Sequence, residues 1–205
     1  IILNHSFILI APFNSLYSDK NCCTMNPISN LEVIFMSLYL LETTDLSPIN
    51  SKEELESKVK DLSQTNAPTL VEVQATEDLS HGYFIVEADD EKAATQHLKS
   101  ASISPQTIKE VRLVDKDLDE IKKGDAKVDY LVTWNIPEGI TMDQYLERKR
   151  KNSVHYEEVP EVQFQRTYVC EDMSKCVCLY NAPDEDAVRR ARKAVDTPID
   201  DIEKM

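Results

Sequence analysis

The chain has 205 residues, 41% hydrophobic and 29% charged, a balance that suits one large or two small globular domains and excludes a disordered chain. Its formal net charge of -14 repels phosphate backbones and argues against a nucleic-acid partner. Only three glycines occur, Gly82, Gly124 and Gly139, so no glycine-rich phosphate loop can form.

Residues 1–35 differ from the rest. They carry three charged residues (Asp19, Lys20, Glu32), have no clear period and do not begin with Met. The apolar run Phe7 to Phe13 is too short to span a membrane, and no positive charge precedes it as in a signal peptide. Met36 opens a clean strand pattern, "SLYLLETTD". Residues 1–35 are therefore read as a non-native or poorly ordered extension, with a genuine N-terminal tail as the competing reading. On the first reading His5, Cys22 and Cys23 carry no chemistry.

Leu38 to Thr44 is apolar and β-favouring, hence a strand. Ser51 and Glu54 form a capping-box pattern ahead of a helix with Leu55, Val59 and Leu62 on one face. Two strands follow, Leu70 to Ala75 and Tyr83 to Glu87, joined by the turn "EDLS"; then come a helix and a closing strand, "IKEVRLV". The charged stretch at 116–126, with Gly124, reads as a linker.

The same order then returns. Thr76 to Leu98 aligns without gaps on Cys170 to Arg192 at an offset of 94, matching Glu77, Asp78 and Ser80 to Glu171, Asp172 and Ser174. Tyr130 opens the second first strand. Thr141 and Gln144 cap its helix, with Met142, Tyr145 and Leu146 apolar. The second hairpin is Phe164 to Cys170 and Cys176 to Tyr180 around "EDMS". A helix follows with Pro183 at its first position, Asp184, Glu185 and Asp186 early, and Arg189, Arg190, Arg192 and Lys193 late, as the helix dipole favours. The reading is α+β: two tandem ferredoxin-like (β-α-β-β-α-β) units, 36–115 and 127–205, with antiparallel sheets stacked by their open faces as a pseudo-dimer.

Side chains alternate along a strand. The apolar Val177 and Leu179 are assigned to the helix side, with Tyr83 and Ile85 as counterparts. Cys176, Cys178 and Tyr180 are then assigned to the open face, so that Tyr180, Phe84 and Trp134 line a cleft between the units. Cys170 falls opposite Cys176 across the hairpin unless the register slips by one residue.

Five cysteines, none between Cys23 and Cys170, make no disulfide framework and suit a reducing, cytoplasmic setting. Thiolates and imidazoles suit Ni, Zn or Cu, and His155, beside Glu157 and Glu158, is the imidazole nearest the cysteines in sequence. The alternative is that Cys176 and Cys178 are ordinary small apolar strand residues. Paired C-x-x-C zinc or redox motifs are absent. No spacing supports a nucleophile and base: His81 reads as an exposed turn residue and His97 as a solvated helix residue. The chain is accordingly read as non-catalytic.

The stretch "RTYVCEDMSKCVCLYNAPDEDAVRRARKAVDTPIDDIEKM" resembles a family of small bacterial proteins, long catalogued as a domain of unknown function, whose best-known type binds nickel. The resemblance covers Tyr130 to Met205; the first unit is a weaker, diverged match. It implies a ferredoxin-like fold, self-association and binding of Ni(II) or another divalent transition metal such as Zn. Cys178 matches the family's Cys before "YEAP", and Lys175 its Lys. The first unit has Phe84 and His81 there, and Asn181 replaces the family's usual acid. The expectation is a metal-binding protein with Cys176 and Cys178 as ligands, assisted by His155 and Cys170. The alternatives are a small molecule, bound or turned over, in the inter-unit cleft, and an interaction module that uses an exposed strand edge.

Overall fold

The structure, a computed structural model, describes residues 36–46, 49, 51–65, 67–122 and 128–205. The readings made for residues 1–35 lie outside the described residues. In the first unit β1 (Ser37–Thr43) runs between β3 (Gly82–Ala88) and β4 (Thr107–Val114), with β2 (Thr69–Ala75) outside β3. Helices α1 (Lys52–Leu62) and α2 (Glu91–Ser100) complete it, and a short α3 (Leu118–Lys122) follows. The second unit repeats the arrangement. Strand β5 (Tyr130–Asn135) lies between β7 (Lys175–Asn181) and β8 (Asp201–Lys204), with β6 (Gln163–Cys170) outside β7 and with helices α4 (Met142–Asn152) and α5 (Glu185–Ala194).

Local chemistry sets these boundaries. Ser51 and Asp90 accept hydrogen bonds from the backbone N–H of Glu54 and Ala93, and Thr141 forms a full capping box with Gln144. Asp184 caps α5 by accepting from the N–H of Ala187, so Pro183 lies before the cap rather than at the first helical position. The two hairpin turns match in detail. Leu79 and Met173 both take φ 58, while Asp78 and Asp172 accept from the N–H of Ser80 and Ser174, at 3.0 Å in each turn.

The Asp172 carboxyl is held down at about 2 by the Lys109 ammonium, then by the Ser174 hydroxyl and N–H. A depressed carboxyl contributes stability that is present above its ordinary value near 3.9 and is lost as pH falls through about 2. An NMR titration of Asp172 should find its midpoint near 2, and Lys109→Met should move it upward. A midpoint near the ordinary value in the parent protein would show that the Lys109 contact is not held in solution.

The two units join into one antiparallel sheet through β4 and β6, in register from Val111↔Cys170 to Val114↔Thr167. The sheet then curls over, so that the open faces stack. Leu40 and Ile85 of the first unit pack against Leu131, Val177 and Leu179 of the second, although their strands are not neighbours. The pocket among Leu40, Tyr83, Ile85, Leu131, Tyr168, Val177 and Leu179 holds only about 10 Å³. A larger cavity of about 390 Å³ opens beside Glu72, Gln74, Gln165 and Arg166, within the roughly 300–1,000 Å³ that organic ligands occupy.

Charged groups cross this layer in pairs. Arg166 donates to Glu72 through Nε at 2.8 Å and through Nη2, and the Tyr168 hydroxyl donates to the same carboxylate at 2.6 Å. Lys175 Nζ lies 2.5 Å from Glu42, and His81 Nδ1 lies 2.7 Å from Glu203. Arg166 lies 94 positions beyond Glu72, so the pair occupies equivalent places in the two units. Both are immediately preceded by the same irregularity, between Leu70 and Glu72 on β2 and between Phe164 and Arg166 on β6.

The faces of the hairpins are the reverse of the expectation. Val177 and Leu179 enter the inter-unit layer with Tyr83 and Ile85, whereas Cys176, Cys178 and Tyr180 face the helices with Tyr145, Ala187, Val188 and Ala191. Alternation fixes which residues share a face but not which face is which. Fit decides it here: aliphatic Val177 and Leu179 fill the thin layer between sheets, and the small residues of α5 leave depth for Tyr180. His97 is likewise not solvated but 7% exposed; burial lowers its pKa, and its Nε2 has no partner among the described residues.

Candidate functional site

The chemistry of the second unit gathers on β7 beneath α4 and α5. Cys176 and Cys178 stand two residues apart on one strand and so point the same way. Both are buried, at 0% and 2% exposure. Arg192, on α5, brings Nη1 to 3.2 Å from the Cys178 sulfur, and Thr167 Oγ1 donates to the same sulfur at 3.3 Å. The Arg192 guanidinium also donates to Tyr180 Oη at 3.3 Å and to the Pro198 carbonyl. Tyr180 in turn shares a hydrogen bond of 2.9 Å with Tyr156.

The two thiols differ electrostatically. The hydrogen bond with Cys176 holds the Cys178 pKa well below the ordinary thiol value, and Arg192, Lys149 and Thr167 reinforce this against the cost of burial. Cys176, the other partner of that bond and itself buried, is pushed well above the ordinary value. Burial alone works against the Arg192 charge, but Cys178 and Tyr180 outweigh it and raise the pKa. The two sulfurs are thus pushed in opposite directions, with a guanidinium in contact with Cys178.

A cavity of about 30 Å³ reaches Cys178, lined by Trp134, Tyr145 and Tyr156 and by the cationic Arg148, Lys149 and Arg192. A single water needs roughly 10–15 Å³ on this scale, so an ion or a pair of waters fits and an organic molecule does not. Trp134 stacks on Tyr145, with ring centroids 6.2 Å apart.

The first unit lacks all of this at the equivalent places. Phe84 stands for Cys178, Leu98 for Arg192 and Gly82 for Cys176, 94 positions earlier in each case. The substitution is a packing exchange: a Cβ at Gly82 would lie 2.9 Å from the Phe84 ring, so the larger ring needs the glycine beneath it. Phe84 and Leu98 are both fully buried. The fold thus closes without the thiol–guanidinium pair.

The other anticipated ligands do not join this pair. Cys170 points into the inter-unit layer, on the opposite face of the sheet from Cys176 and Cys178, and it is Val169 that faces Cys176. His155 lies in a 3₁₀ turn (Ser153–Glu158), half-exposed, with Nδ1 2.6 Å from Glu158. Tyr180 and Trp134 belong to the helix-side core of the second unit and Phe84 to that of the first, so the three do not share one cleft. Arg192 is the residue that sequence reasoning missed. The same alignment that paired Phe84 with Cys178 also pairs Leu98 with Arg192, an apolar residue against a charge, and that was the available signal.

Among the described residues, no three His, Cys, Asp or Glu side chains gather as a metal-binding group. Two sulfurs share a face and a water-sized cavity reaches Cys178, but that cavity is also lined by the cationic Arg148, Lys149 and Arg192. This donor set does not fit a closed four-ligand metal centre. No described helix is long and apolar enough to cross a membrane.

Several solved structures resemble the chain. The putative chlorite dismutase TA0507 is 12% identical over 83% of this chain and 90% of its own, with a TM-score of 0.50, a likeness of fold alone. A putative monooxygenase from Lactobacillus acidophilus NCFM is 9% identical over 82% of this chain and 92% of its own, at a TM-score of 0.47. SCO4226 from Streptomyces coelicolor A3(2) is 20% identical over 37% of this chain and 93% of its own, at 0.33. No curated protein matches the sequence. The sequence model of one family does match, over residues 130–205: the second unit, which carries the thiol pair, is similar to the family described as nickel responsive protein SCO4226-like.

Proposed function

We propose that the protein is a non-catalytic, metal-responsive binding protein, and that its second unit takes up a thiophilic divalent cation of the nickel type at Cys176 and Cys178. One observation carries the reading. In the unit matched by a nickel-responsive family, two sulfurs share a buried face, and a small cavity reaches one of them, Cys178. A bound cation would supply charge that holds both sulfurs deprotonated. The chain's own residues do the rest: Thr167 and Tyr145 hydrogen-bond the two sulfurs, and Trp134 and Tyr156 wall the site from bulk solvent.

Isothermal titration of Ni(II) and of Zn(II) into the reduced full chain tests this. Saturable uptake of about one ion per chain is expected, lost in Cys176→Ser/Cys178→Ser. Equal affinity in that double variant would remove the thiol pair from the site. The absence of heat with either ion, together with an unchanged melting temperature, would remove the metal reading altogether.

A further inference from the structure

We propose that the cavity of about 390 Å³ beside Arg166 binds a small uncharged aromatic compound that carries a hydrogen-bond acceptor, such as a ketone or ester carbonyl. The inference is independent of the metal reading, since none of the residues lining this cavity belongs to the thiol pair or to the helices that cover it.

The cavity arises from a difference between the two units. The capping residues of α1 and α4, Ser51 and Thr141, lie 90 positions apart, whereas β2 and β6 begin 94 apart, at Thr69 and Gln163. The second unit therefore has four more residues between helix and strand, and there it forms the 3₁₀ turn Ser153–Glu158. That turn brings the Tyr156 ring onto Phe164, with centroids 5.3 Å apart and planes at 12°. Lys149 Nζ also lies over the Phe164 ring, 3.9 Å from its centroid.

Val59, Ser63 and Leu70 are the first unit's equivalents of Lys149, Ser153 and Phe164. All three line the cavity. No 3₁₀ turn follows α1 among the described residues, so no ring comes down on Leu70. The space stays open, bounded by Leu70 and Val73 of β2 and by Ile121 of α3. A planar ring bound there would take the place that Tyr156 has in the second unit, and would bury the same kind of apolar contact.

The polar end of the cavity sets the rest of the ligand. Arg166 is 4% exposed and lines the cavity. Its Nε and Nη2 donate to Glu72, which leaves Nη1 without a partner among the described residues. A guanidinium can only donate, so the ligand's polar group must accept. The charged lining residues balance, Arg166 and Lys116 against Glu72 and Glu120. A lining without net charge does not offset the cost of stripping water from an ionic ligand, which favours an uncharged one.

The test is fluorine NMR of para-fluoroacetophenone titrated with the full chain, beside para-fluoroethylbenzene, which has nearly the same shape and no acceptor. Saturable broadening of the ketone signal is expected. The hydrocarbon should bind about tenfold or more weakly, the scale of a hydrogen bond to a charged group. Arg166→Met would leave Glu72 unbalanced, so the informative variants fill the cavity instead. Ser63 is exposed at the end of α1 and Val59 is half-buried one turn earlier, so Ser63→Trp and Val59→Trp each place an indole in the opening while the core stays intact. Loss of ketone binding with an unchanged unfolding midpoint is the expected result. No saturable binding of the ketone, or undiminished binding in both tryptophan variants, would overturn the site. Equal binding of the two probes would overturn the part given to Arg166.

Discussion

Replacing Arg166 with Met is expected to cost about 3–5 kcal/mol of stability in urea unfolding, the scale for removing one partner of a buried ion pair. Glu72 is left behind in the inter-unit layer with its carboxylate 7% exposed and with only neutral partners, the Tyr168 hydroxyl and the Gln74 amide. Burial of an unpaired charge, not the lost attraction, is what makes the single change so damaging. Glu72→Met/Arg166→Met should therefore recover much of the loss, because two thioethers can fill the layer and only the neutral Tyr168 and Gln74 then lack their acceptor. If the single variant costs under about 1 kcal/mol, the range of solvated surface pairs, then water reaches Glu72 and the layer is not sealed.

Arg192→Leu carries the second large effect, about 1–3 kcal/mol for each buried polar group left without a partner. The Pro198 carbonyl and the Tyr180 hydroxyl lose their donor, and the Cys178 sulfur loses its cationic neighbour. The first unit shows what a repaired site looks like. Cys176→Gly/Cys178→Phe/Arg192→Leu installs the residues found at Gly82, Phe84 and Leu98, with the glycine giving the ring its place. Thermal melting should rank the triple variant above Arg192→Leu alone, although it has lost both thiols. The reverse order would mean that the neighbouring Tyr145 and Tyr180, which the first unit does not have, dominate the packing around this site.

Much of the fold was legible because three independent signals agree in each unit: alternating strands, capped helices and the matched "EDLS" and "EDMS" turns. The alignment at an offset of 94 then made the second unit evidence for the first. The orientation of the hairpins was not legible. A period of two is satisfied equally by either face, and apolar Val177 and Leu179 suit a helix-side core as well as a sheet-sheet layer. That ambiguity carried over into the site. Cys176 and Cys178 were rightly placed side by side, but the cleft they were expected to line lies on the other side of the strand, and Cys170 went to the opposite face with the register. Arg192 was hidden for a different reason: a basic residue late in a helix already has an explanation in the helix dipole. Only the hydrogen bond to Cys178 reveals that it points inward.

The thiol–guanidinium pair of the second unit, answered by Phe84 and Leu98 in the first, fixes the form of the binding curve. A symmetric assembly of two like halves would carry two equivalent sites, and equivalent sites facing each other across an interface can be coupled. Among the described residues this chain has the thiol pair in one half alone, so the proposed metal reading gives it one such site. Occupancy should then follow a simple hyperbola with a Hill coefficient near one, graded over about two decades of free ion rather than switched over a narrow range.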